Sequence, residues 1–297
     1  MADQTEPAAP NDYKQAVLFM ALAAVFLPLL NAAIQYLAPA YPVGQLLWVR
    51  YAGHLAFMVV VFAPARGAAL LASSRPGLQV ARSALFCAST FLTFYALGFV
   101  PLATATVILF TSPLIVTALA PLLLRETVDR ASALAVLAGF AGALIVARPG
   151  SGALHWSAFL ILGSAAASAM TQILSRKLAG HDRPETSNTY MVLVGFALAS
   201  LALPFVWRWP AGWGDALLLA SLGVFGGLGH YCLVRAFELA PAPFVSPFNY
   251  AQILGAALLG FLVFGQVPDL WLWSGAAVIA GSGVFILLDQ QRRSRQP

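Results

Sequence analysis

The chain has 297 residues, of which 60% are hydrophobic and 9% are charged, and its mean hydropathy is +0.82. A soluble domain carries about 25% charged residues, so this composition excludes a soluble globular protein. At about 20 apolar residues for each membrane-spanning helix, the chain accommodates ten spans and leaves only short connections. No connection is long enough for a soluble catalytic, nucleotide-binding or receptor domain, so we expect the function to lie within the bilayer.

Ten apolar segments alternate with short polar connections along the chain. They are expected at residues 15–37, 43–63, 80–100, 104–124, 131–147, 156–176, 187–207, 214–237, 243–264 and 269–288. Residues 1–14 are expected to form a tail, which lacks the basic start of a signal peptide, and residues 289–297 a basic tail. The predicted fold class is therefore an all-α membrane protein with ten transmembrane helices.

The basic residues are unevenly divided between the two sides of the predicted bundle. Ten spans place both termini on one side, and this side holds Lys14, Arg66, Arg75, Arg82, Arg125, Arg130, Arg176, Lys177, Arg183, Arg292, Arg293 and Arg295. Only Arg148 and Arg208 fall on the other side, where the tryptophans cluster. An excess of Lys and Arg marks the cytoplasmic side, and tryptophan anchors at interfaces. We therefore expect a bacterial-type inner membrane protein with both termini in the cytoplasm and no nucleic-acid partner.

The two halves of the chain match each other at a shift of 140 residues. Residues 96–101 (ALGFVP) then align with 236–241 (AFELAP), and Phe110 aligns with Tyr250. Five is an odd number of spans, so the second copy enters the membrane from the opposite side. Two inverted five-helix repeats around a central cavity are typical of secondary transporters. These repeats are expected at residues 15–147 and 156–288.

Several short motifs follow the order seen in a known group of transporters. They are Leu47-Trp48-Val49-Arg50-Tyr51, Tyr95-Ala96-Leu97 with Pro101, Ser112-Pro113, Arg125-Glu126-Thr127, and Ala147-Arg148-Pro149-Gly150. Over nearly its whole length the chain resembles the ten-helix EamA-type branch of the drug/metabolite transporter superfamily. It departs from that pattern at Gln266, where the family's second repeat often keeps glutamate. The resemblance implies a metabolite carrier, commonly an exporter of amino acids or similar small polar compounds.

Polar side chains inside apolar spans are candidates for the substrate site, because each must face protein or water. The sixth span carries such side chains on one face: Ser164, Ser168, Thr171, Gln172 and Ser175. We expect Gln172 to contact the substrate. The serines, Ser168 included, fit either a binding site or close packing of helices through small residues.

The first span contributes Asn31 and Gln35, one helical turn apart and just after Pro28. Because proline leaves the carbonyl group four residues earlier without its helical donor, the carbonyl of Ala24 is a further candidate acceptor. We expect Pro28 to kink the helix without any role in binding, and the free carbonyl group as a ligand contact is the alternative.

The second and eighth spans carry the embedded histidines. Arg50 and His54 share one face of the second span, and His230 and Tyr231 lie on the eighth. Histidine is the side chain whose charge changes near neutral pH, so the two histidines are candidate coupling groups. We expect Arg50 to extend to the outer interface, with the binding of a substrate carboxylate as its alternative role.

The ninth span adds Asn249 and Tyr250 to the predicted lining. The third and fourth spans add Thr90, Tyr95 and Phe110, so that aromatic walls and amide groups together could orient a small solute. All eleven acidic residues lie in tails, loops or helix ends. Nothing deep would balance a cation, so neutral or zwitterionic solutes are expected.

The resulting hypothesis is a transporter of small neutral or zwitterionic metabolites, exporting amino acids by alternating access. One alternative is an importer of a nucleoside, vitamin or adenosylated metabolite, and a more distant one is an intramembrane hydrolase. No enzyme motif, metal-ligand set or cofactor motif occurs, so no catalytic residue, metal or cofactor is expected. The expected partners are the solute and the lipid bilayer. The sequence leaves the coupling ion and homodimer formation open.

Overall fold

The structure, a computed structural model, describes residues 12–124, 130–147, 156–178, 181–182, 184–240 and 242–294. Its elements are α1 (Tyr13–Leu37), α2 (Val43–Arg66), a 3₁₀ helix (Gly67–Leu71), α3 (Pro76–Leu97), α4 (Leu102–Leu109), α5 (Ser112–Leu123), α6 (Arg130–Ala147), α7 (Ser157–Leu178), α8 (Pro184–Val206), α9 (Trp213–Leu239), α10 (Ala242–Asn249), α11 (Ala251–Phe264) and α12 (Leu270–Ser294). Throughout these described ranges the regular structure is helical, and the predicted all-α class is confirmed.

Eight helical segments in the described part of the chain are long and apolar enough to cross a membrane, and Ala251–Phe264 and Leu270–Ile286 are shorter apolar helices. Together they account for the ten predicted spans. The last helix, α12, continues to Ser294, six residues beyond its predicted end, so part of the expected basic tail is helical.

Two predicted spans are each interrupted in the middle. The fourth is divided into α4 and α5 at Phe110 and Thr111, and the ninth is divided into α10 and α11 at Tyr250. Pro113 explains the first break, because it has no N–H and its ring clashes with the carbonyl group of Leu109. The chain turns there through a shorter bond from the Thr111 N–H to the Ile108 carbonyl oxygen, at 3.0 Å. The sequence alignment of Phe110 with Tyr250 thus coincides with two equivalent helix breaks.

The helix packing follows a regular pairing. The most extensive contacts join α1 to α9, α3 to α7, α6 to α12, α2 to α8, α2 to α9 and α3 to α8. A shift of five spans relates α1 to α7, α2 to α8, and α3 to α9. Under this shift the α1–α9 contact corresponds to the α3–α7 contact, and the α2–α9 contact corresponds to the α3–α8 contact. The pairs α2–α8 and α6–α12 map onto themselves. A duplicated five-helix unit predicts this pattern of contacts.

One end of the bundle, which we term the tryptophan end, contains the connections 38–42 and 207–212. The Gln45 side chain is fully buried there. Its Nε2 donates to the Arg208 carbonyl oxygen at 2.7 Å, and its Oε1 accepts from the Arg208 N–H at 2.8 Å. Tyr41 donates to Asp215 Oδ2 at 2.5 Å and accepts from the Ala211 N–H at 3.0 Å. These bonds hold the two connections together.

The opposite end, the basic end, contains the connection 67–75 together with His181 and Asp182. The Asp182 carboxylate accepts hydrogen bonds from Ser73 Oγ at 2.5 Å, Gln79 Nε2 at 2.9 Å and the Ser74 N–H at 2.8 Å. Partial burial favours a raised pKa for this carboxyl group, but the bonds stabilise its ionised form more strongly and hold the pKa well below its usual range. Asp182 therefore ties the two connections together as a carboxylate.

Candidate substrate-binding site

The two helix breaks meet inside the bundle. The rings of Phe110 and Tyr250 lie 4.8 Å apart between centroids, inclined at 34°. The Tyr250 hydroxyl group packs on Gly283 of α12, where an added Cβ atom would overlap it. Interrupted helices at corresponding positions of two repeats mark binding sites in transporters, because the breaks expose backbone polar groups near the middle of the membrane. The aromatic pair therefore forms one part of the candidate site.

Amide groups lie beside this aromatic pair. Gln172 of α7 donates through Nε2 to the Ser112 hydroxyl oxygen at 2.8 Å, at the start of α5. Asn249, the last residue of α10, accepts from Gln252 of α11. The structure thus places the predicted residues Gln172, Asn249, Phe110 and Tyr250 at or next to the two breaks.

A second group of polar residues surrounds Arg50, which is 2% exposed. Its Nη2 lies 3.0 Å from His230 Nε2, and because a guanidinium only donates, the imidazole nitrogen must accept. Its Nε and Nη1 atoms are buried without a hydrogen-bond partner. Arg50 does not extend to the interface, so that expectation is wrong. The side chain turns into the bundle because α9 offers it the acceptor of His230.

The guanidinium of Arg50 is enclosed by aromatic rings. Its Cζ atom lies 4.9 Å from the ring centroid of Tyr51, 5.6 Å from that of Phe86 and 5.8 Å from that of Phe94. Such contacts stabilise a cation by about 0.5–2 kcal/mol each, but they leave its N–H groups unbonded. Thr90, one of the predicted site residues, lies beside this enclosure, with its Oγ1 3.5 Å from the Tyr51 hydroxyl.

Close helix crossings position these side chains. A Cβ atom on Gly53 of α2 would lie 2.6 Å from Gly223 Cα of α9, and the reverse substitution is equally tight. Only glycine allows this approach, which lies one turn from Arg50 along α2. On the other face of α2, the Tyr51 ring packs directly on Gly195, whose added Cβ would lie 2.5 Å from it. The glycines thus bring α8 and α9 against the Arg50 turn.

The two predicted histidines meet here. Their rings are nearly parallel, at 8°, with centroids 6.0 Å apart. Nδ1 of His54 is buried without a partner, and His54 lies at the deep end of a cavity of about 120 Å³. Its lining residues are His54, Phe57, Met58, Glu185, Asn188, Tyr231, Val234, Arg235 and Glu238. The predicted residues His54, His230 and Tyr231 therefore form one cluster.

Other predicted residues lie elsewhere. Gln35 donates to the Val100 carbonyl oxygen at 3.0 Å, which ties α1 to the connection before α4 at the tryptophan end. Tyr95 is 40% exposed and stacks on Phe91 at 6.2 Å. Asn31 and Ser168 are half-buried on α1 and α7, and their role in binding stays a prediction.

The polar face of α7 serves mainly to pack helices. The Ser164 hydroxyl group lies 2.9 Å from Ser89 Oγ and 2.7 Å from Thr93 Oγ1 of α3. Thr171 donates to the carbonyl oxygen of Ala167 within its own helix. Of the two interpretations left open for these hydroxyl groups, close packing describes Ser164 and Thr171.

The carbonyl group of Ala24 is covered by α11. A Cβ atom on Gly255 would lie 2.7 Å from this oxygen and 3.1 Å from Pro28 Cγ. The acceptor that Pro28 leaves without a helical donor is therefore closed off in this conformation by a glycine of the neighbouring helix.

Sequence reasoning missed the enclosure of Arg50 by Phe86 and Phe94, and the crossing of Gly53 with Gly223. One signal was present: Arg50 is followed by His54 at a spacing of four, which places both side chains on one face of an apolar helix. The aromatic residues gave none, since α3 contains many apolar side chains. Glu126, part of the motif Arg125-Glu126-Thr127, lies outside the described residues.

Three relatives of known name resemble the chain along most of its length. A riboflavin transporter of Vibrio cholerae is 33% identical over 95% of this chain and 96% of its own. A pseudopaline exporter of Pseudomonas aeruginosa is 29% identical over 90% of this chain and 93% of its own. An S-adenosylmethionine uptake transporter of Rickettsia bellii is 26% identical over 75% of this chain and 76% of its own.

The profile of the EamA-like transporter family matches the chain twice, at residues 14–148 and 155–288. The predicted resemblance to this family is thus confirmed. The relatives are transporters and so is the family, so the protein is not an enzyme, and the hydrolase alternative is excluded. With its helix breaks, buried polar cluster and membrane-spanning helices, this chain belongs to the EamA-like transporter family.

Proposed function

We propose that the protein takes up riboflavin, or a flavin-like vitamin, across the inner membrane by alternating access. The observation that carries this substrate is the full-length similarity to the riboflavin transporter of Vibrio cholerae. Amino-acid export, the first hypothesis from the sequence, has no support among the named relatives. The importer of a vitamin, which was its alternative, agrees with them better.

The chemistry of the two candidate clusters supports a flavin. A flavin has a broad planar ring, which stacks on aromatic side chains, and a hydroxylated chain, which amide groups can bind. Phe110 and Tyr250 offer rings at the helix breaks, and Gln172 and Asn249 offer amides next to them. Such a mixture of apolar walls and a few polar groups is typical of sites for small molecules.

The charges of the described residues favour riboflavin over S-adenosylmethionine. Arg50 is a buried cation in the interior of the bundle, and its Nε and Nη1 have no hydrogen-bond partner. A sulfonium ion close to it would be repelled, whereas a neutral ring with carbonyl oxygens would be attracted. The buried arginine therefore supports an uncharged, acceptor-rich solute.

Alternating access requires two related halves. The exchange of helix contacts under a shift of five spans supports an inverted repeat, and the twofold match to the family profile supports a duplication. The cytoplasmic location of the basic end is supported by the distribution of Lys and Arg. We take the transport site to lie between the halves, near the paired helix breaks.

Counterflow into proteoliposomes tests the proposed function. Vesicles loaded with unlabelled riboflavin should accumulate radiolabelled riboflavin from outside, saturably, and excess external riboflavin should block this while amino acids do not. Phe110→Ala should reduce the flux, because it removes one ring of the aromatic pair. Phe205→Ala is a matched control, since Phe205 is 88% exposed. Saturable amino-acid flux without riboflavin flux would overturn the proposal.

A further inference from the structure

The unmet hydrogen-bonding capacity of Arg50 is the strongest indication of a ligand contact in the described part of the chain. A guanidinium has five N–H donors, and the structure gives this one a single acceptor, His230 Nε2. Nε and Nη1 are buried and unbonded. Buried arginines are normally paired or hydrogen-bonded, since a lone charge in the interior is costly.

A bound ligand could supply the acceptors that Nε and Nη1 of Arg50 lack. The hydroxyls of Tyr51 and Thr90 lie beside the aromatic enclosure and are 3.5 Å apart, and Thr90 Oγ1 donates to the Phe86 carbonyl oxygen at 2.9 Å. Neither hydroxyl bonds to Nε or Nη1 of Arg50. The aromatic rings around Arg50 exclude bulk water from its faces. A ligand that brings its own oxygen or nitrogen acceptors would complete the site.

His54, which shares a face of α2 with Arg50, lines a cavity. The ion pair of Arg235 and Glu238, at 2.6 Å, lies at its exposed end, and His54, 2% exposed, lies at its deep end. Its volume is about 120 Å³. Arg50 lies four residues from His54 on the same face of α2, about one helical turn away.

We infer that Arg50 is the specificity-determining residue that binds the pyrimidinedione edge of the flavin. Its free N–H groups donate to the C2 carbonyl oxygen and to ring nitrogen N1, which are adjacent acceptors on one edge of a planar ring. His230 keeps the guanidinium in position, and Phe86 and Phe94 cover its faces. The inference rests on the proposed function, and it assigns one edge of that substrate to one residue.

Equilibrium binding to the purified full-length protein tests this contact through flavin fluorescence. The probes are riboflavin and 1-deazariboflavin, in which a C–H replaces the N1 acceptor. The wild type should bind riboflavin about 10- to 100-fold more tightly than the analogue, as expected for a hydrogen bond from a charged donor. Arg50→Met should lower the affinity for riboflavin by a similar factor, and the variant should bind the two flavins equally well.

Arg82→Met is the matched control, because Arg82 is also buried but bonds to protein oxygens. It should keep the wild-type preference for riboflavin over 1-deazariboflavin. If the wild type binds the two flavins with equal affinity, the inference is overturned, whether or not Arg50→Met folds. The inference is also overturned if the Arg50→Met protein still prefers riboflavin over 1-deazariboflavin. In both cases the proposed function would stand. A wild type that binds neither flavin would instead overturn the proposed function and the inference with it.

Discussion

Two buried arginines in this bundle have opposite surroundings. Arg82 of α3, 9% exposed, donates to Ser175 Oγ at 2.6 Å and to the Ser187 carbonyl oxygen at 3.0 Å. Arg50, 2% exposed, has only the imidazole of His230. Both side chains are surrounded by protein, so burial alone does not distinguish them. The two arginines differ in the number of oxygen atoms that accept hydrogen bonds from them.

The difference separates a structural arginine from one that is available to a ligand. Arg82 links α3 to α7 and α8 at the basic end through neutral oxygens, which accept from its Nε and Nη1 without a counter-charge. Two nitrogen atoms of Arg50, Nε and Nη1, make no hydrogen bond. Each unbonded buried donor lowers the free energy of unfolding by about 1–3 kcal/mol. A cost of that size in the transporter's interior is compatible with a stable fold when substrate binding recovers it.

The largest expected contrast comes from replacing each arginine by methionine. Arg50→Met should abolish most riboflavin transport but leave the protein as stable as the wild type or more stable, because it removes a buried, poorly paired charge. Arg82→Met should lower the free energy of unfolding by about 1–3 kcal/mol, because it leaves buried oxygens unbonded. Thermal unfolding in detergent and flux in proteoliposomes would measure both. Destabilisation of the two variants to the same extent would remove the contrast.

The contrast also depends on the crossing that brings His230 to Arg50. Gly223→Ala should destabilise the protein by about 1–3 kcal/mol, because the added methyl group overlaps Gly53 across the helix contact. Gly281→Ala, in α12, has open space around its position and serves as the control, with a neutral or slightly stabilising effect. If thermal unfolding shows equal effects for the two substitutions, the α2–α9 contact is not as close as described.

Uncharged site residues should have a smaller effect than Arg50. Gln172→Ala and Asn249→Ala are each expected to reduce riboflavin flux about 2- to 10-fold, as the loss of a neutral hydrogen bond does, at normal abundance in the membrane. Ser200→Ala is the control, since it removes a bond from Trp48 Nε1 at 2.9 Å and a bond to the Phe196 carbonyl oxygen at 2.7 Å, away from the helix breaks. Unchanged flux in both amide variants would exclude them from the site.

The smallest expected effect concerns Asp182, which holds Gln79 next to Arg82. Because its pKa is lowered in the folded protein, its contribution to stability is present above the unfolded-state pKa of about 4 and is lost as the pH falls through the lower folded-state value. Asp182→Asn should remove this acid-dependent part of the wild-type melting profile while leaving flavin affinity at neutral pH unchanged. An identical acid profile in the two proteins would contradict the assigned hydrogen bonds.

Much of the fold could be predicted from the sequence, because hydropathy and helix length are local properties. The ten spans, the alignment of Phe110 with Tyr250 and the resemblance to the transporter family needed no tertiary information. The interruption of the fourth span had a local signal in Pro113. Its consequence, a contact between the two breaks, had none.

The candidate site was predicted less completely. His54, His230 and Tyr231 were identified as polar groups in apolar spans, and the structure brings them into one cluster. Tyr95 and Gln35 satisfied the same criterion, yet they lie in an exposed aromatic stack and in a backbone contact at the tryptophan end. A polar residue in a span must find a partner, but the sequence does not say whether that partner is protein or substrate.

The sequence by itself determined that this is a ten-helix membrane transporter without an acidic residue near the middle of a span, because composition and periodicity depend on the solvent around each span. Only the tertiary structure decided which polar groups are satisfied. Ser175 and Ser187 accept hydrogen bonds from Arg82 across helix contacts. The close crossing of Gly53 and Gly223 brings His230 to Arg50, and among the described residues no carboxylate bonds to Arg50. Hydrogen bonds between helices depend on how the helices cross, and that geometry is set by the packing of the whole bundle.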